Sequence, residues 1–117
     1  MPAAETLFAR RIFRGAAIYG VIVMLPMYAV PPPTQPAIYY GFVGIVLVFQ
    51  WLFWIIGGDP KKYRALMLPS VAEKLVFAVP ALVLLAMRRV EPILAVFATI
   101  DLLLAIGFLI ARSRTPA

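Results

Sequence analysis

Four blocks of apolar residues, separated by prolines, glycines and charges, organise this chain. The clearest is 37–56, twenty residues without a charge. As a helix rising about 1.5 Å per residue it spans a hydrocarbon core of roughly 30 Å unaided. The first block, 7–30, opens with Arg10, Arg11 and Arg14 and is charge-free from Gly15 to Val30. That stretch is short for the core, and Ile12 and Phe13 extend it when Arg14 snorkels towards the headgroups. The third block, 71–87, contains Pro80, which predicts a kink. Membrane helices tolerate one where neighbours satisfy the freed carbonyl. The fourth, 92–111, opens on Pro92 and is followed by Arg112 and Arg114.

The connections carry their own signals. Proline cannot donate a backbone hydrogen bond, so the proline-rich 31–36 ends the first helix, and Pro36 starts the second at a favoured first-turn position. Gly57-Gly58 is expected to end the second helix. Asp59 is expected to cap a short interfacial helix, with Pro60 at its first position, reaching Leu68. Ser70-Val71-Ala72-Glu73 has the capping-box pattern, which predicts the third helix to begin there. Arg88 and Arg89 favour its C-terminal dipole, and Val90-Glu91 makes a tight turn. Ala16-x-x-x-Gly20 and Gly41-x-x-Gly44 mark places where helices can approach closely. The expected fold is all-α: one domain, a transmembrane antiparallel four-helix bundle with short loops. A basic start before an apolar run also suits a cleaved signal peptide. The missing small-x-small pattern and the prolines that follow favour a retained span.

Composition sharpens this picture. The chain has 117 residues, 64% of them apolar and only 14% charged. Too few charges remain to cover the surface of a soluble domain this size. Its net charge of +6 does not point to nucleic acid. If the N-terminus is cytoplasmic, nine cations lie inside against Arg88 and Arg89 outside, a positive-inside bias. Arg10, Arg11, Arg14, Lys61, Lys62, Arg64, Arg112 and Arg114 are then the expected contacts with lipid headgroups. Both termini would be cytoplasmic. With no cysteine and no histidine, thiol chemistry and the commonest metal ligand and general base are absent. No catalytic residue, metal or cofactor is expected.

Five acids remain, and Asp101 stands out because it falls half way along the fourth block. A mid-bilayer carboxylate costs roughly 2.5–3.5 kcal/mol on insertion scales, so it needs protein contact, a partner or a proton. Ala98 and Ala105 share its helical face and leave room for another helix. Lys74 lies where it can snorkel to water, the simpler expectation, or reach towards Asp101. Gln50 is a deep polar group, and Glu73 has its capping role. If Asp101, Lys74, Gln50 and Glu73 meet, they form a polar nest in an apolar bundle. Such a nest is either a structural clasp or a proton or ligand site.

Lys61-Lys62-Tyr63-Arg64-Ala65-Leu66-Met67-Leu68-Pro69-Ser70-Val71-Ala72-Glu73-Lys74 and Asp101-Leu102-Leu103-Leu104-Ala105 resemble segments of small uncharacterised bacterial four-helix membrane proteins. The resemblance covers the second half of the chain and implies a bacterial inner membrane, but no activity. Small multidrug-resistance exporters share the length and helix number. They differ in their nearly balanced loop charge and the glutamate inside their first helix. The expected role is therefore a non-enzymatic accessory, assembly or interaction module, in a homo-oligomer or larger membrane complex. A small proton-linked transporter or ligand-binding protein using Asp101 is the alternative, and a lipid-modifying enzyme ranks behind both.

Overall fold

The computed structural model describes residues 4–30, 32 and 34–117. Pro31 and Pro33, within the predicted proline turn, lie outside the described residues. Among those described, the chain is all-helical without strands. Four α-helices form: α1 (Leu7–Met24), α2 (Pro36–Gly58), α3 (Met67–Ala86) and α4 (Pro92–Arg114). Three segments are long and apolar enough to cross a membrane: Pro36–Gly58, Arg64–Ala86 and Pro92–Arg114. With Arg10, Arg11 and Arg14 along its first half, α1 is not among them.

Several boundaries differ from the sequence reading, each for a local reason. The first helix ends at Met24 and tightens into a 3-10 turn, Leu25–Tyr28, around Pro26. Pro26 lacks the amide that would continue the α-helical ladder. Gly57 and Gly58 do not stop α2 but complete it. A Cβ on Gly57 would lie 2.6 Å from Arg14 Cγ, and one on Gly58 2.8 Å from Arg14 Nη2. These glycines let α1 lie against the end of α2. Downstream, Asp59 Oδ1 accepts the Lys62 amide at 3.3 Å in a single turn, and a 3-10 helix, Arg64–Leu66, runs directly into α3. The capping box does not form, because α3 has already begun at Met67. Pro69 falls in its first turn, where the amide needs no partner. Ser70 is interior, and its hydroxyl donates to the Leu66 carbonyl at 2.8 Å. After α3, Arg88 takes a left-handed conformation (φ 56°), and the Arg89 amide closes the helix end on the Leu84 carbonyl at 2.8 Å.

Packing is strongest between α1 and α2 and between α3 and α4; α1 also meets α4, whereas α2 and α3 barely touch. Phe13, Phe53 and Phe108 are fully buried and join α1, α2 and α4. Phe13 stacks on Phe108 with centroids 4.1 Å apart, and Phe53 meets Phe108 edge-on at 5.0 Å. At this end Arg10 Nη1 donates to the Gly58 carbonyl (2.8 Å) and Arg64 Nε to the Thr115 carbonyl (2.8 Å). The start of α1, the 59–66 connection and the C-terminal residues therefore meet. Tyr39 ties α2 to the end of the first helical segment by donating to the Met27 carbonyl at 3.0 Å.

Size is distributed inside out relative to a water-soluble protein. Half of the buried apolar residues are alanines, from Ala9 to Ala111. Large side chains such as Ile22, Ile38, Ile45, Trp51, Val76 and Leu103 face outward. Small residues inside and large apolar ones outside suit a molecule whose solvent is lipid.

Candidate functional site

Lys74 is the centre of the polar cluster. About two helical turns into α3, it is only 3% exposed and points inward rather than snorkelling to water. Its Nζ lies 3.5 Å from Glu73 Oε2 and 3.6 Å from Asp101 Oδ1. Beneath it is the ring of Phe53, with Nζ 5.1 Å from the centroid. The ammonium is therefore flanked by two carboxylates and stands over the aromatic cluster. Ala98 and Ala105 are buried on the Asp101 face, as their spacing predicts.

Gln50 enters from α2. Only 1% exposed, it donates Nε2 to the Val46 carbonyl at 2.8 Å. Its Oε1 has no hydrogen-bond partner among the described residues, and the same holds for Glu73 Oε2. Gly20 makes room for it: a Cβ there would collide with the Gln50 carboxamide. The Gly20 position of the small-residue motif thus marks a close approach of α1 to α2. At Gly41, by contrast, a Cβ would meet nothing within 4 Å.

These four residues share one cavity of about 1080 Å³. It lies where α2 and α3 diverge, and Gln50, Glu73, Lys74 and Asp101 are among its lining residues. The rest of the lining is mainly apolar, including Phe42, Val46, Phe49, Phe77 and Phe97, with Tyr19 as a further polar group. Phe42, Ile45 and Val76 line it and are also exposed, so the space is open between α2 and α3. Pro80 adds a local feature, because its missing amide leaves the carbonyl of lining residue Val76 without its usual helical donor.

The structure thus brings Glu73, Lys74 and Asp101 together and places Gln50 on the same cavity. The sequence reading missed the cavity itself and the place of Phe53 under the lysine. The phenylalanines carry no signal of their own in so apolar a chain. The basic residues form a different arrangement at the far end of the helices. Arg14 Nε donates to the Trp54 carbonyl at 3.0 Å and its guanidinium covers the Trp54 ring at 3.8 Å. Arg114 lies over Phe8 at 5.1 Å and Lys62 over Tyr63 at 5.4 Å. Arg11 and Lys61 are exposed, and Arg112 is partly so. Among the described residues no group of His, Cys, Asp and Glu is arranged to hold a metal ion.

Comparison with known proteins gives no further constraint: no family model, no curated protein and no solved structure matches the chain.

Proposed function

We propose that the chain is an integral membrane protein that binds a lipid-like amphipathic ligand in the cavity between α2 and α3. The observation that carries this reading is the cavity of about 1080 Å³, apolar over most of its wall and polar where Glu73, Lys74 and Asp101 converge. Its size is just above the roughly 300–1,000 Å³ typical of small-molecule sites, which combine apolar walls with a few placed polar groups. A sealed clasp would enclose the ion cluster in close packing. Here the cluster faces space reachable from the side.

In this reading the four helices form an antiparallel bundle in a bacterial inner membrane, and α1 is the fourth span. The 3-10 turn Leu25–Tyr28 lengthens it, and Arg10 and Arg14 sit at the headgroup level with Trp54. The Asp59–Leu66 connection lies at the cytoplasmic interface, and both termini are cytoplasmic.

The test is retention of lipid. Protein extracted in mild detergent and examined by native mass spectrometry is expected to carry bound lipid. Ala72→Trp, which fills the cavity from α3, is expected to lose it. Equal lipid occupancy in the two proteins, or none in either, contradicts the reading.

A second reading, an accessory subunit, draws on the lateral groove of about 380 Å³ between α1 and α2, where Ile18, Ile22, Trp51 and Trp54 are among the lining residues. In-membrane crosslinking from Trp51 to a second polypeptide supports it; crosslinks to lipid alone do not.

A further inference from the structure

Resting on the ligand-binding reading, we propose that the ligand's polar end is a protonated amine, held between Gln50 and the Glu73–Asp101 carboxylates while its apolar body fills the space between α2 and α3.

Acceptors outnumber donors at the polar end of the cavity. With all three groups ionised, Glu73 and Asp101 bring two negative charges and Lys74 returns one positive charge. In that state the cluster carries one uncompensated negative charge. In a low-dielectric site such a charge is costly, and a proton or a further cation relieves it. Gln50 gives an independent observation from another helix. It is 1% exposed, its amide nitrogen is committed to Val46, and its Oε1 has no hydrogen-bond partner on the same cavity. Glu73 Oε2 is likewise without a hydrogen bond. The Lys74 contacts, at 3.5 and 3.6 Å, are longer than the 2.7–3.2 Å of a well-formed hydrogen bond, so Lys74 does not exhaust the hydrogen-bonding capacity of the two carboxylates.

A ligand group that satisfies Gln50 Oε1 and the carboxylates must donate hydrogen bonds, and among such groups a cation also cancels the charge of the ionised cluster. An alkylammonium does both. An alcohol donates without charge, a quaternary ammonium carries charge without an N–H, and a carboxylate or sulfate adds to the excess. The amine belongs either to a free single-chain amphiphile or to an aminophospholipid headgroup.

The experiment uses the full-length protein in phosphatidylcholine nanodiscs. Binding of dodecylamine, dodecanol, dodecyltrimethylammonium and dodecanoate is measured at matched membrane loading, with the Ala72→Trp protein subtracted as the lipid-partition background. Dodecylamine is expected to bind at least tenfold more tightly than each of the other three. Asp101→Asn or Glu73→Gln is expected to bring the amine-to-alcohol ratio close to one. Replacing part of the phosphatidylcholine by phosphatidylethanolamine distinguishes the sources. Competition with dodecylamine assigns the amine to the lipid headgroup, and undiminished binding assigns it to a free amphiphile. If dodecanol or the trimethylammonium matches the amine, the amine inference is overturned while the ligand cavity stands. If no probe binds above the Ala72→Trp background, the ligand-binding reading falls and this inference with it.

Discussion

Lys74 shows how much one residue's surroundings decide. A lysine near a helix start, beside lipid, has an easy route to water along its own stem. In the structure it turns the other way, to Asp101 and Glu73, because α4 offers a carboxylate within 3.6 Å and Phe53 receives the ammonium from below. Asp101 was legible in the sequence, since a charge half way along an apolar block demands a reason. The Gln50 neighbourhood was legible only as polarity at depth. That Gly20 clears space for its carboxamide depends on how α1 crosses α2, which spacing alone does not encode. Glu73 belongs to the polar cluster but caps nothing, because its local pattern, Ser-x-x-Glu, falls in a helix that starts a turn earlier. The cluster also makes a sharp prediction about stability. Removing only the cation leaves two carboxylates in apolar surroundings without their shared counter-charge, so Lys74→Met should destabilise the protein by about 3–5 kcal/mol. Replacing all three by apolar residues, Glu73→Leu, Lys74→Met and Asp101→Leu, should restore stability to within about 1 kcal/mol of the native protein or exceed it. Thermal unfolding in a fixed detergent measures both. A Lys74→Met protein as stable as the parent contradicts the geometry described.

Helix existence was readable from block length and composition, because lipid requires runs near twenty apolar residues and permits little else. Helix ends were less readable, and the reasons are specific. Gly57 and Gly58 look like a stop, yet they are the contact surface for Arg14. Pro69 looks like a break, yet it occupies a first turn where an amide is dispensable. Pro26 lies inside an apolar block with no polar residue to mark a boundary, and there the helix tightens. In each case the deciding factor is a neighbour or a backbone position, not a propensity. Cohesion between elements rests on the phenylalanine cluster, where residues from α1, α2 and α4 are fully buried. Phe108→Ala removes both the stacked and the edge-on partner and should cost about 3–5 kcal/mol. Phe97→Ala, whose side chain borders the open cavity, should cost clearly less. Chemical or thermal unfolding midpoints of the two variants give the comparison, and equal losses would contradict the placement of the core.

At the scale of the whole molecule, the helices are held together at the arginine-rich end, and α2 and α3 barely touch. The proposed arrangement, four spans with both termini inside, predicts a two-sided pattern of labelling. The chain has no cysteine, so single cysteines can be introduced without background. In intact bacterial cells, Gln35→Cys and Glu91→Cys should react with a membrane-impermeant maleimide. Lys62→Cys and Ala117→Cys should react only after the membrane is opened. A reactive Lys62→Cys in intact cells would contradict four spans with both termini inside. The open side of the molecule, between α2 and α3, is tested most directly with a lipid carrying a diazirine on its acyl chain. It is photolysed in membranes containing the protein, and the labelled residues are mapped by mass spectrometry. Labels on Val46, Phe49 and Phe97, inside the cleft, are the predicted result; labels confined to outward residues such as Val48, Val83 and Leu103 would contradict it.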